Sequence, residues 1–218
     1  MLQRVLEPEI MDTEEDVLEY ESMDHREANN AFVDRLMTLG PAGRMLDIGT
    51  GPGHIPILVC ERDSNARVVA IDLADRMLEA ARRNVAASPF GDRIELVKAD
   101  AKGLDFPDDS FDVVFSNTIL HHVPTPLTLL SEARRVLRPG GVLLIRDLMR
   151  PETREHLEQL VKLHADGATP YQRELLGLSL NAALRPEELR REAQAAGLSD
   201  AEVTIDSDRH LSLQLAAH

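Results

Sequence analysis

The sequence predicts an α/β fold: a doubly wound sheet of seven strands, mostly parallel with an antiparallel last strand, and helices on both faces. Three observations predict it. Short Val/Ile/Leu-rich runs alternate with amphipathic stretches across residues 44–148. Those runs are nearly continuously apolar, as parallel strands covered on both faces are. Only "DSDR" separates the last two runs, too little for a crossover helix, so that pair is antiparallel.

The elements follow in order. "RMLDIG" (44–49) is the first strand, with a helix from about His54. "ARVVAID" (66–72) is the second, followed by a helix over 74–88 in which Met77, Leu78, Ala81 and Val85 recur at helical spacing. "RIELVKAD" (93–100) and "SFDVVFSN" (110–117) are the third and fourth, and a helix over 125–137 comes next. Pro139, Gly140 and Gly141 make a turn into "GVLLIRDL" (141–148), the fifth strand. Two regions stand outside this repeat. Residues 1–42 read as two helices, the second with Phe32, Val33, Leu36 and Met37 on its apolar face, and 151–183 reads as an inserted helical pair. A helix over 186–196 and the strands "AEVTID" and "HLSLQLA" complete the chain. The expected organisation is one domain: a helical cap (1–42), a ligand-binding core (43–150), a helical lid (151–183) and a closing helix and strand pair (184–218).

Composition narrows the partners. The net charge is −14, from 24 basic and 38 acidic residues, which repels a polyanion. Aromatics are 3% of the chain with no Trp, so base stacking has little to work with. The basic run "EARRVLRPGG" reads as a solvated helix face. A small-molecule or lipid-like partner is therefore favoured over nucleic acid. The single cysteine, Cys60, sits in an apolar helical stretch and reads as buried, with no disulfide within the chain. The acidic start lacks the apolar core of a signal peptide, and no run is long enough to span a membrane, so a cytoplasmic protein is expected. Monomer and homodimer both remain open.

In a doubly wound sheet, ligands bind outside the carboxyl ends of the strands. The first such tip is "LDIGTGPG", carrying Asp47, Gly49, Thr50, Gly51 and Gly53. A dinucleotide fingerprint needs glycine at the sixth position of G-x-G-x-x-G, and counting from Gly49 that position is His54. Asp47 beside the turn would repel a pyrophosphate but suits an amino group. Asp72 ends the second strand, where a carboxylate accepts two ribose hydroxyls. Asp100 ends the third and can accept from an exocyclic amine such as that of adenine; Ser116 and Asn117 end the fourth. Each carboxylate also has a purely structural use: Asp72 or Asp75 can cap the following helix, with Asp75 the expected cap, and Asp100 can cap a turn at 101–103. Three acidic tips in succession suit an ammonium, a ribose and an adenine, and no P-loop occurs.

In these motifs and their order the chain resembles the class I S-adenosylmethionine-dependent methyltransferases, most closely their ubiquinone/menaquinone-biosynthesis-like small-molecule subgroup. "LDIGTGPG", "VVAIDLADRML", "KADAKGLDFPDDSFDVVFSNTILHHV" and "LLSEARRVLRPGGVLLIRD" carry the likeness across 46–148. The resemblance implies a Rossmann-like fold, S-adenosyl-L-methionine as cofactor and S-adenosyl-L-homocysteine as product. It implies that Asp47 and the backbone of Gly49, Thr50 and Gly51 meet the methionine part. Asp72 would hold the ribose, with Leu73 and Met77 against the adenine or ribose face. Asp100 and the backbone of Ala101 would read the adenine, and Ser116 and Asn117 would line the methyl side. The sulfonium is already activated, so no resident metal is expected. His121 and His122 follow the fourth strand near the methyl, where one can act as a base, or both can be ordinary loop residues. Substrate selection is expected from the cap, including Tyr20 and His25, from the lid, including Tyr171, and from Arg146 at the end of the fifth strand. A non-catalytic cofactor binder, an NAD(P)-linked oxidoreductase and a polyamine-type transferase stay open as alternatives.

Overall fold

The computed structural model describes residues 1–7, 12–13 and 26–217. Seven strands form one sheet: β1 (Arg44–Ile48), β2 (Arg67–Asp72), β3 (Ile94–Lys98), β4 (Phe111–Asn117), β5 (Leu137–Leu148), β6 (Glu202–Ile205) and β7 (His210–Leu215). The helices are α1 (Arg26–Thr38), α2 (His54–Arg62), α3 (Asp75–Ala87), α4 (Pro126–Val136), α5 (Arg154–His164), α6 (Pro170–Ala182) and α7 (Pro186–Ala195). The first of the two helices expected over 1–42 falls largely outside the described residues; the second is α1.

The sheet order is β3-β2-β1-β4-β5-β7-β6. β1 to β5 pair in parallel, while β7 lies antiparallel to both β5 and β6. This matches the doubly wound reading, with β7 as the antiparallel strand. One consequence matters for the site. An antiparallel strand begins at the edge where the parallel strands end, so the segment entering β7 arrives beside their carboxyl ends.

Alternation along the strands splits their apolar residues between two cores. On β5, Val142 and Leu144 face one core while Leu143 and Ile145 face the other. The first core joins Phe32, Val33 and Leu36 of α1 to Val59 and Cys60 of α2. The second joins Leu129, Leu130 and Ala133 of α4 to Leu189 and Ala193 of α7. Continuous apolar runs are therefore required: each strand serves both faces. Cys60 is buried, as expected. A smaller cluster packs α5 and α6 on Leu148, through Leu157, Leu160, Leu180 and Ala183.

One element departs from expectation. Pro139, Gly140 and Gly141 do not precede the fifth strand; they lie within β5, which follows directly on α4. Phe111 pairs with Leu137 and Val113 with Val142, so the extra residues bulge out opposite Asp112. A side chain at Gly141 would approach the Asp112 carbonyl to 2.7 Å and Leu137 Cδ1 to 2.8 Å. Gly141→Ala is therefore expected to cost about 2 kcal/mol of stability, lowering Tm by about 4–8 °C in a thermal melt. An unchanged melting temperature would show that the bulge relaxes freely.

Candidate active site

A cavity of about 610 Å³ opens over the carboxyl ends of β1, β2, β4 and β5, beside the point where the strand order reverses between β1 and β4. This is where a doubly wound sheet leaves room for a ligand.

The glycine turn forms its floor. Gly49, Gly51 and Gly53 have φ of 74°, 53° and 78°, in the left-handed region that favours glycine. Their surroundings differ. A Cβ on Gly49 would lie 2.7 Å from the Ile119 side chain, and one on Gly53 would lie 3.3 Å from Ala81 on α3. One on Gly51 would meet nothing within 4 Å, because Gly51 faces the cavity. The first and third glycines serve packing, and the second leaves bare backbone for a ligand.

Asp72 holds this turn in place. Its Oδ2 accepts from Gly51 N–H at 2.8 Å and its Oδ1 from Ala74 N–H at 2.9 Å. Burial raises its pKa, and the N–H groups of Ala74 and Gly51 oppose the rise. Asp72 thus braces both turns without capping α3, and the same side chain lines the cavity. Asp75 does not cap α3. The N-cap is Ala74, without a side-chain bond, and Asp75 pairs instead with Lys98 at 2.5 Å.

Asp47 lies behind the turn and is 1% exposed. Among the described residues its Oδ2 accepts no hydrogen bond. Burial pushes its carboxyl up to about 7; the nearby Thr50 hydroxyl opposes this and the charge of Asp72 adds to it. Asp100 is more open. It accepts from Lys102 N–H at 2.9 Å and pairs with Lys102 Nζ at 3.0 Å, capping the short turn as the sequence allowed. Its modest burial raises the carboxyl, but the bonds and charge of Lys102 outweigh this and hold it low.

Gly49, Leu73, Met77, Ala101 and Asn117 line the cavity with Gly51, Asp72 and Asp100. Thr50 and Ser116 sit behind the wall. The Ser116 hydroxyl, fully buried, donates to the Ile48 carbonyl at 2.8 Å and so braces the turn from beneath.

The other end of the cavity carries His121, His122 and Arg146. Asp147 accepts from His121 backbone N–H at 2.9 Å and lies 2.6 Å from His121 Nδ1. Burial works against the charged ring, but Asp147 and Glu7 outweigh it and raise the His121 pKa. Tyr171 begins α6, is 39% exposed and does not line the cavity; Tyr20 and His25 lie outside the described residues. Thr118, directly after β4, lines the cavity at φ 58° and donates its N–H to the Arg146 carbonyl at 2.8 Å. A β-branched residue in that region is strained, and here the strain sits on the ligand wall.

Several wall residues carry no local motif. Arg209 and His210 arrive with the start of β7, and Ser179 with α6. Glu7 reaches the histidines from the amino-terminal segment, 3.2 Å from each. A reading of spacing cannot reveal such long-range placements.

Comparison with known proteins agrees with the fold. The methyltransferase domain family matches residues 46–145. A demethylmenaquinone methyltransferase of Clavibacter sepedonicus is 36% identical, over 73% of this chain and 66% of its own length. The 27-O-demethylrifamycin SV methyltransferase of Amycolatopsis mediterranei is 37% identical, over 59% of this chain and 48% of its own. The chain thus spans about half to two thirds of the length of these curated relatives. The crystal structure of a SAM-dependent methyltransferase from Aquifex aeolicus shares the fold. Its TM-score is 0.68 at 18% identity, covering 94% of this chain and 98% of that one. The architecture is thus the Rossmann-like fold of that methyltransferase structure. The match to the methyltransferase domain over residues 46–145 agrees with the resemblance that the motifs carry.

The Asp47 environment has a measurable cost. Its folded pKa of about 7 lies above the ordinary 3.8, so the protonated form is the one the fold prefers. The stability that preference gives is complete below pH 3.8 and is lost as pH rises to about 7. The shift corresponds to at most on the order of 4 kcal/mol. Asp47→Asn is expected to stabilise the ligand-free protein in denaturant titrations at pH 8, and to do so less at pH 5. An equal difference at both pH values would sink this account.

Proposed function

We propose that the protein transfers a methyl group from S-adenosyl-L-methionine to a small-molecule or lipid-like acceptor by in-line displacement, releasing S-adenosyl-L-homocysteine. The acidic glycine turn carries the reading. Gly51 opens bare backbone to the cavity, Asp47 keeps a buried oxygen without a hydrogen bond among the described residues, and "LDIGTGPG" has no basic residue to meet a phosphate. That donor set fits an amino acid joined to a nucleoside. Methyltransferase relatives acting on small molecules support the same assignment.

Each residue then has a task. Asp47 is the counter-charge for the ammonium of the methionine part. Asp72 can accept ribose hydroxyls while keeping its two backbone bonds, because a carboxylate offers about four lone-pair sites. Asp100 and the Ala101 backbone meet the adenine edge, with Leu73 and Met77 against the nucleoside face. Thr50 and Ser116 hold the turn's shape, and Asn117 borders the methyl. When bound, the cofactor supplies a methyl on a positively charged sulfur that is its own leaving group. The protein's work is alignment and exclusion of water, for which α5 and α6 close the acceptor side with Arg146 on the wall. His121 and His122 face that side, with Asp147 fixing the His121 ring.

Calorimetric titration of the full chain with S-adenosyl-L-homocysteine and with NAD tests the cofactor. Saturable binding of the first and none of the second is expected; tight NAD binding with no response to the other ligand overturns the proposal. Asp72→Ala should lose about 100-fold or more in affinity, from two charge-assisted hydrogen bonds of about 1.5–3 kcal/mol each. Because Asp47 must ionise to face an ammonium, affinity should also fall below pH 7, approaching tenfold per unit. A flat profile from pH 5 to 8 removes Asp47 from that role. A methyl-transfer screen against metabolite extracts, with products identified by mass, then finds the acceptor.

A further inference from the structure

We propose that Glu7, His121 and His122 form a binding site for one divalent transition-metal ion, of the class that includes zinc and cobalt, at the acceptor end of the cavity. What the ion does rests on the methyl-transfer reading; that it binds does not.

The geometry is that of a metal site. One ligand atom from each residue lies within 4.8 Å of the other two. Glu7 Oε1 is 3.2 Å from His121 Nε2 and 3.2 Å from His122 Nδ1. With bonds of about 2.0–2.1 Å, two ligands at a tetrahedral angle stand roughly 3.3–3.4 Å apart. Both measured edges are close to that separation. The group is also shielded, with the Glu7 and His121 side chains 5% and 4% exposed and that of His122 14%. Glu7 Oε1 sits between two imidazole nitrogens, yet it makes no hydrogen bond among the described residues.

The surroundings support a ligand role as well. His121 Nδ1 lies 2.6 Å from Asp147 Oδ1. With the ring's proton on Nδ1, donated to this carboxylate, the Nε2 lone pair is directed at Glu7 and His122. A carboxylate behind a histidine is the arrangement that orients metal-binding imidazoles. The Ser179 hydroxyl donates to Glu7 Oε2 at 3.1 Å, holding Oε1 toward the rings. Glu7 itself is anchored through its neighbours. Arg4 Nε donates to the Ala182 carbonyl at 2.6 Å, Arg4 Nη2 donates to the Val123 carbonyl at 3.1 Å, and Leu2 N–H donates to the Glu152 carbonyl at 2.7 Å.

Two imidazoles and one carboxylate select a borderline cation over magnesium or calcium, which prefer oxygen. His121, His122 and Ser179 line the cavity, so the remaining coordination positions face the acceptor space. The acceptor class follows: a hydroxyl, phenol or enol oxygen that can enter an open position, in preference to an amine-only or carbon-only acceptor. This departs from the expectation, drawn from the sequence, that no metal is present.

The test uses the full-length protein, freed of metal with a chelator. Co²⁺ titration followed by visible absorption, and Zn²⁺ competition against a chromophoric chelator, should each give one ion per chain. Glu7→Gln and His122→Ala should each weaken binding at least tenfold, and Asp147→Asn should weaken it about 10- to 100-fold through the histidine it orients. S-adenosyl-L-homocysteine titration of the same variants shows whether the fold is intact and fails separately if the cofactor reading is wrong. No stoichiometric uptake of either ion by the wild type overturns the proposal. So does uptake undiminished in both Glu7→Gln and His122→Ala, since the ion is then held elsewhere.

Discussion

Asp72 accepts from Gly51 N–H at 2.8 Å and from Ala74 N–H at 2.9 Å, and these two bonds tie the turn after β1 to the turn after β2. Neither turn can shift without the other. The positive φ at Gly51, the open space above it and the positions of Leu73 and Met77 all follow from that tether. The carboxylate is 9% exposed, so it is costly to ionise, and the same backbone bonds that shape the turn offset part of that cost. One side chain thus sets both the shape of the binding floor and its charge. Asp47, 1% exposed beneath it, lacks comparable support and keeps a pKa near 7. A buried carboxylate oxygen that accepts no hydrogen bond among the described residues is an energetic liability in the ligand-free protein.

The sequence revealed what local spacing dictates. The succession of strands and helices, the antiparallel last strand and the acidic strand tips all depend on residues close in the chain, and the structure places Gly49, Gly51, Asp72 and Asp100 around one cavity. Reading was less sure where one pattern serves two geometries. "RPGG" signals a turn, but flanked by Leu137 and Val142 pairing to β4 it becomes a bulge inside a strand. Asp75 has the type of a helix cap, but Lys98 lies close enough to claim it. Ser116 belongs to the strand tip by position, yet the two-residue period turns its hydroxyl inward to Ile48 and leaves Asn117 facing the cavity. Glu7, Arg209 and His210 were illegible for a different reason. They reach the site by topology, from the amino-terminal segment and from the entry to an antiparallel strand, and no window of sequence holds both ends of such a contact.

The cavity is electrically divided. Asp72 and Asp100 line the cavity near the glycine turn, while Arg146 and Arg209 stand on the wall fed by β5 and β7, with Glu7 and Asp147 held by the histidines. Asp206 lies 3.6 Å from Arg146, and His164 partners both Arg209 and Asp208. Burial, reinforced by Arg146 and Arg209, pulls His210 down to about 3, so its ring is neutral and adds no charge to that wall. A molecule bound across the cavity meets a negative floor at one end and a largely compensated, hydrogen-bonding wall at the other. The chain's net charge of −14 therefore says little about that end of the cavity, where the local balance is different.

The amino-terminal strap has a consequence for the order in which the molecule assembles. The bond from Arg4 to Ala182 spans 178 residues, and Arg185 reaches back to the Leu2 carbonyl at 2.9 Å. Closing so long a loop has a large entropic cost and gains nothing until the partner surface exists. Residues 2–7 have nowhere to dock until α6 and the start of α7 are in place. The end of the cavity that carries His121 and His122 thus waits on this long-range closure. Completion of this end therefore depends on closing a loop of some 178 residues, whereas the glycine turn can form once β1 to β4 are paired.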